Sequence, residues 1–136
     1  MVIHKNNAKI INSNQICLHD DILLNLYFDR INKKMIIKMK KHSDFNKLYN
    51  IIFVDVIGFE MSSCDFWGIS ECVLDFEYVE PFEERTLVFK LTEKCRENFK
   101  STDINLYDDY IEVLFTFGSG DYLRISSKEI NIDGED

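Results

Sequence analysis

The stretch "DDYIEVLFTFGSGDYLRISSKEINI" (108–132) decides the fold. Ile111, Val113, Phe115 and Phe117 alternate with Glu112, Leu114 and Thr116, a period of two that belongs to a strand. Gly118 and Gly120 supply the backbone freedom of a tight turn, and Leu123 and Ile125 begin a return strand that "EINI" extends. This is a β-hairpin. The same pattern recurs upstream. In "DILLNLYFDR", Ile22, Leu24, Leu26 and Phe28 alternate with Leu23, Asn25 and Tyr27; Asn32-Lys33 then tips a turn into "MIIKMKK". Lys33, Lys34, Lys38, Lys40 and Lys41 make this second hairpin basic, a common way to blunt an edge strand.

Between the hairpins, "LYNIIFVDVIGFEM" (48–61) reads as one central strand covered on both faces, with Gly58 marking a bulge or bend. Asp55 interrupts it, as a buried acid or an outward one. "CVLDFEYVE" sets acids against aromatics and reads as a strand with a wet face, closed by Pro81. The period then changes. Leu87, Val88, Leu91, Cys95 and Phe99 recur at helical spacing, so one amphipathic helix is expected over about 84–99. The first 18 residues are polar and mixed, with at most a short strand near Lys9–Ile11, and residues 133–136 form a frayed acidic tail. The expected fold class is α+β: a mostly antiparallel, curved sheet of about six strands with the helix packed on it.

The 136 residues suit a single domain, residues 1–136, and 46% apolar with 13% aromatic content suffices for one core. No apolar run reaches membrane-spanning length, and the N-terminus lacks the pattern of a signal peptide, so a cytoplasmic protein is expected. Cys17, Cys64, Cys72 and Cys95 match no zinc spacing and are expected as buried, unpaired thiols. Charge is uneven. Residues 1–50 carry nine Lys/Arg and four Asp/Glu, or +5; residues 51–136 carry seven and twenty, or −13.

Six acids and no base lie between Glu71 and Glu84, a field that repels nucleic acid and attracts a basic partner. The candidate partner surface comprises Asp65, Trp67, Glu71, Asp75, Glu77, Tyr78, Glu80, Phe82, Glu83 and Glu84, its aromatics acting as anchors. The plain alternative is a solvated acidic face. Phe66 and Trp67 equally suit anchors for the connection out of the central strand.

Chemistry has few footholds. His19, Asp20 and Asp121 are the candidate pocket or structural polar residues. His19 and Asp20 are neighbours, and neighbours on a strand point to opposite faces, so they are not expected to pair. Cys64 has no nearby His in sequence, and its acidic surroundings disfavour a thiolate. "GSGD" (118–121) lacks the Lys and the helix of a phosphate loop. No catalytic residue, metal ligand or cofactor is therefore assigned.

"HDDILLNLYFD", "IIFVDVIGFEMSSCDFWG" and "FTFGSGDYLRISSKEINI" together resemble a group of small uncharacterised Firmicutes proteins. These share a His-Asp opening strand, an F-x-x-V-x-x-F strand, a Trp soon after it and a terminal F-x-S-G-D hairpin. More loosely, the layout is similar to immunity proteins of bacterial polymorphic toxin systems. That likeness implies a non-enzymatic protein-binding module, an acidic inhibitor of a basic partner such as a nuclease toxin. The alternative expectation is a small-molecule binding or sensing domain with an apolar cavity between sheet and helix. Neither nucleic acid nor membrane is expected as a partner.

Overall fold

The computed structural model describes residues 1–13, 15–65, 67–68, 71–80, 87, 90–91, 93–94 and 108–133. Among the described residues there are nine strands: β1 (Val2–His4), β2 (Ile22–Asp29), β3 (Lys34–Lys40), β4 (Leu48–Val54), β5 (Gly58–Met61), β6 (Val73–Val79), β7 (Ile111–Phe117), β8 (Tyr122–Ser127) and β9 (Glu129–Asp133). They form two antiparallel sheets, one ordered β1-β9-β4-β3-β2 and the other β5-β8-β7-β6. With Leu87, Lys90, Leu91, Glu93 and Lys94 helical, the class is α+β. The remainder of the helix expected over 84–99 lies outside the described residues.

The strand count exceeds the expected six because β1 adds one strand and two long strands each turn a corner. The expected central strand 48–61 is split by Asp55–Ile57 into β4 of the first sheet and β5 of the second. Asp55 takes φ 56°, a left-handed conformation that Asp tolerates better than most residues, and it is exposed rather than a buried acid. The return strand of the final hairpin likewise breaks at Lys128 into β8 and β9. The two corners stay paired, with Lys128 N–H donating to the Val54 carbonyl at 3.1 Å and Ile57 N–H to the Ser126 carbonyl at 3.0 Å. Strands that switch sheets at a corner are a recognised way to build a two-layer β core.

That core lies between the sheets. Met35, Ile37, Ile51, Phe53, Ile130 and Ile132 face Val113, Phe115, Phe117, Leu123 and Ile125, all buried. Phe115 lies at its centre, with ring centroids 6.2 Å from Phe53 and 4.6 Å from Phe76. The alternate positions of β4, including Ile52 and Val54, are half-buried, so this strand is not covered on both faces. Helical Leu87 and Leu91 lie over Gly58 on the far side of the second sheet, where a Cβ would stand 3.5 Å from Leu87. Lys90 donates to Glu60 there at 3.3 Å.

The first 18 residues are more ordered than their composition suggests. Lys5–Asn12 form a 3-10 helix where a strand near Lys9–Ile11 was expected; the strand is β1. Ile3, Ala8, Ile11, Ile16 and Leu18 are buried, which fastens this segment to the core. Asp133 closes β9, and 134–136 lie outside the described residues. Among the described residues no helix is long and apolar enough to cross a membrane.

Candidate functional site

The second sheet ends at β6, whose outer edge faces the N-terminal segment. A bulge near Val73–Asp75 sets which main-chain groups point outward. Val73 is paired on that edge, accepting from Asp20 N–H at 2.8 Å and donating to the Asp21 carbonyl at 2.9 Å. The Leu74 carbonyl accepts from His19 Nδ1 at 2.9 Å. Asn12 acts as a one-residue strand. Its amide donates to the Tyr78 carbonyl at 3.1 Å, and its side-chain oxygen accepts from Tyr78 N–H at 2.8 Å. Between those caps lies Phe76. By strand alternation its N–H and C=O point the same way as those of Tyr78, away from β7.

They point into a cleft of about 380 Å³ walled by residues 11–13 and 16–19 and by 74–77. Asp75 and Glu80 are exposed and Glu77 is half-buried along the same strand and its end. Glu80 together with burial raises the Tyr78 phenol above its ordinary pKa, burial being the larger cause. The site is an acidic strand edge with one open main-chain position, suited to an extended polypeptide or a carboxamide.

The expected site residues divide sharply. Asp75, Glu77 and Glu80 gather at this edge, and Asp65 is exposed elsewhere in the 62–68 connection. Glu71 and Tyr78 do not belong to an open surface, since both are 8% exposed. Glu71 turns inward to accept from Ser119 N–H at 2.9 Å, satisfying the hairpin turn. Trp67 is half-buried and packs on Phe117 at 4.7 Å between ring centroids, so part of its ring is committed to the fold. Phe82, Glu83 and Glu84 lie outside the described residues, as does Phe66.

Asp121 is a structural hub. Its carboxylate accepts from Trp67 Nε1 at 2.8 Å, Ser119 Oγ at 2.9 Å and Ser62 Oγ at 3.0 Å. The Ser119 hydroxyl has the largest effect on the Asp121 carboxyl; burial opposes it, and the Ser62 hydroxyl and the Trp67 indole N–H reinforce it, so the carboxyl is held below its ordinary range. "GSGD" is thus a turn that ties down the connection after β5.

His19 and Asp20 sit in a turn before β2 rather than on a strand, and there they approach: His19 Nε2 lies 3.7 Å from Asp20 Oδ2, with Asp20 at φ 69°. The Leu74 carbonyl can only accept, which places a proton on His19 Nδ1. His19 is exposed and Asp20 half-buried, and His19 lines one end of the cleft.

The buried acid is instead Asp21, 3% exposed. It accepts from His42 N–H at 2.8 Å and from the Tyr49 hydroxyl, with Lys41 Nζ 3.7 Å away. A second buried pair, Glu112 with Arg124 at 2.7 Å, lies on the far face of the second sheet. Cys17 and Cys64 are exposed free thiols and Cys72 is half-buried, against the expected burial; Cys95 lies outside the described residues. Among the described residues no cluster of three or more His, Cys, Asp or Glu is placed to hold a metal.

Sequence inspection missed Asn12 and Phe76. Asn12 lies in a polar run with nothing to mark it, and Phe76 contributes only main chain, which leaves no side-chain signal. Comparison with protein families, curated proteins and solved structures found no match to this chain.

Proposed function

We propose that the chain is a non-enzymatic protein-binding module of the immunity-inhibitor kind, which holds a basic polypeptide partner at the edge of β6. The observation that carries this reading is the open Phe76 main chain in its cleft, with Asp75, Glu77 and Glu80 alongside. An extended partner segment gains main-chain hydrogen bonds at such an edge and specificity from the side chains beside it. Acids at the rim raise the association rate of a basic partner.

The caps at Tyr78 and Leu74 restrict the dock to a short segment. That protects against indiscriminate edge pairing. The test is capture of partners from the host's lysate on immobilised protein, at low and moderate salt, beside the variant Asp75→Lys/Glu77→Lys/Glu80→Lys. A basic protein held by the parent, released by salt and missed by the variant is the expected result. Equal retention by both proteins, or no retention by either, refutes the reading.

A further inference from the structure

The outward face of the first sheet carries a pattern that the β6 edge does not explain. Register sets five side chains in one row across all five strands: Tyr27, Ile36, Ile52, Asn131 and Val2. Tyr27 is 59% and Val2 46% exposed, so the row is open to solvent at both ends. On one side of the row, Lys38 is level with Asn50 and Asp133. On the other, Lys34 precedes the Met35–Phe53 pair and so lies level with Val54 and Glu129. Basic side chains therefore line β3 and acidic ones line β9, with β4 between them. Among the described residues Lys38, Glu129 and Asp133 form no ion pair within the chain.

We propose that this face is a homodimer interface: its occupant is a second copy of the chain, related by a two-fold axis running along β4. Such an axis turns the copies face to face and lays β3 of one over β9 of the other. Lys38 then meets Asp133 of the second copy, and Lys34 meets its Glu129; each contact occurs twice. Ile52 meets its own equivalent on the axis, and Tyr27 meets Val2. The match follows from register alone, because the facing residues already share a level within one sheet. A two-fold interface requires this self-complementarity. Sheets packed face to face in this way lie about 10 Å apart. A nucleic acid is a poorer occupant, since Glu129 and Asp133 repel a polyanion.

The face is about 20 Å across, given five strands spaced about 4.8 Å apart. That is the small end of specific interfaces, so association is weak and concentration-dependent. The test is sedimentation equilibrium of the full chain from micromolar to millimolar concentration, at low and high salt. The parent is expected to move toward dimer mass with concentration, less so in high salt.

Lys38→Glu and Asp133→Lys, taken singly, set like charges opposed and are expected to weaken association by about tenfold. The double swap Lys38→Glu/Asp133→Lys restores opposite charges and is expected to return association to near the parent's. Ile52→Lys is expected to abolish it. All three changed positions are exposed or half-buried, and circular dichroism melting confirms that each variant folds. A parent that stays monomeric throughout overturns the proposal. So does a double swap no tighter than the single changes, or an Ile52→Lys protein that dimerises like the parent.

Discussion

Replacing Asp21 with Ala removes the acceptor for three donors at once. The His42 amide and the Tyr49 hydroxyl lose this acceptor, and the Lys41 ammonium loses a carboxylate 3.7 Å away. A buried donor left unsatisfied costs about 1–3 kcal/mol. Breaking a buried charge pair by removing one partner costs about 3–5 kcal/mol. Lys41 is 13% exposed and has other contacts, so part of its charge can be accommodated and the lower end applies. The expected loss is about 3 kcal/mol.

Unfolding entropy of roughly 2.1 cal/mol/K per residue gives about 0.29 kcal/mol/K for the chain. Thermal unfolding followed by circular dichroism should therefore show a Tm about 10 °C below the parent's. Tyr49→Phe keeps the ring over which Lys41 sits at 4.9 Å and removes only the hydroxyl donor. It should cost about 1.5 kcal/mol, half the shift. The two changes share a partner, so the double variant should lose less than the sum. A loss below about 1 kcal/mol for Asp21→Ala would mean that water replaces the cluster without penalty, and the assignment of Asp21 as a structural anchor would fall.

Trp67 is the sole tryptophan, so its emission reports on the Asp121 hub. Because the Asp121 carboxyl is held below its ordinary value of 3.8, its contribution to stability is full above that value and fades as pH falls through the lower folded pKa. A fluorescence titration should show its transition below pH 3.8, and Asp121→Asn should remove it. Asp55 holds φ 56° on an exposed corner, so Asp55→Gly should raise stability by up to about 1 kcal/mol while Asp55→Val lowers it, both measured by urea unfolding. Asn12→Ala unpairs the Tyr78 N–H and C=O and should cost about 1–2 kcal/mol by the same assay, with faster amide exchange at Tyr78. Phe115→Ala empties the centre of the core and should cost about 3–5 kcal/mol, or prevent folding.

Much of this architecture was legible because period-two patterning is strong in this chain. Phe115 and Phe117 announce the inward face of β7, and Ile37 and Met39 that of β3. The splitting of 48–61 was not legible. Both β4 and β5 are β-rich, and the corner depends on a single left-handed Asp55, which carries no pattern. Side-chain type also misled where the partner was distant in sequence. Glu71 reads as one acid among six, yet it is committed to an amide 48 residues away. Trp67 reads as an interface anchor, but Phe117 and Asp121 claim it. The cleft was illegible for a further reason: its floor is main chain, and hydrogen-bonding capacity of the main chain is common to nearly every residue.

β9 lies between β1 and β4 in the first sheet, although it is the last of the described strands in sequence. Its neighbours are thus synthesised long before it. Until Glu129–Asp133 emerge, β1 has no strand partner, β4 shows one bare edge, and Ile130 and Ile132 leave a gap in the core. The first hairpin can form early from local contacts, but the first sheet closes only with the most distant pairing, Val2 with Asn131. During translation the chain therefore passes through a stage in which two strand edges are exposed at once. A chaperone that shields such edges would act on that interval, and the ninth strand ends it.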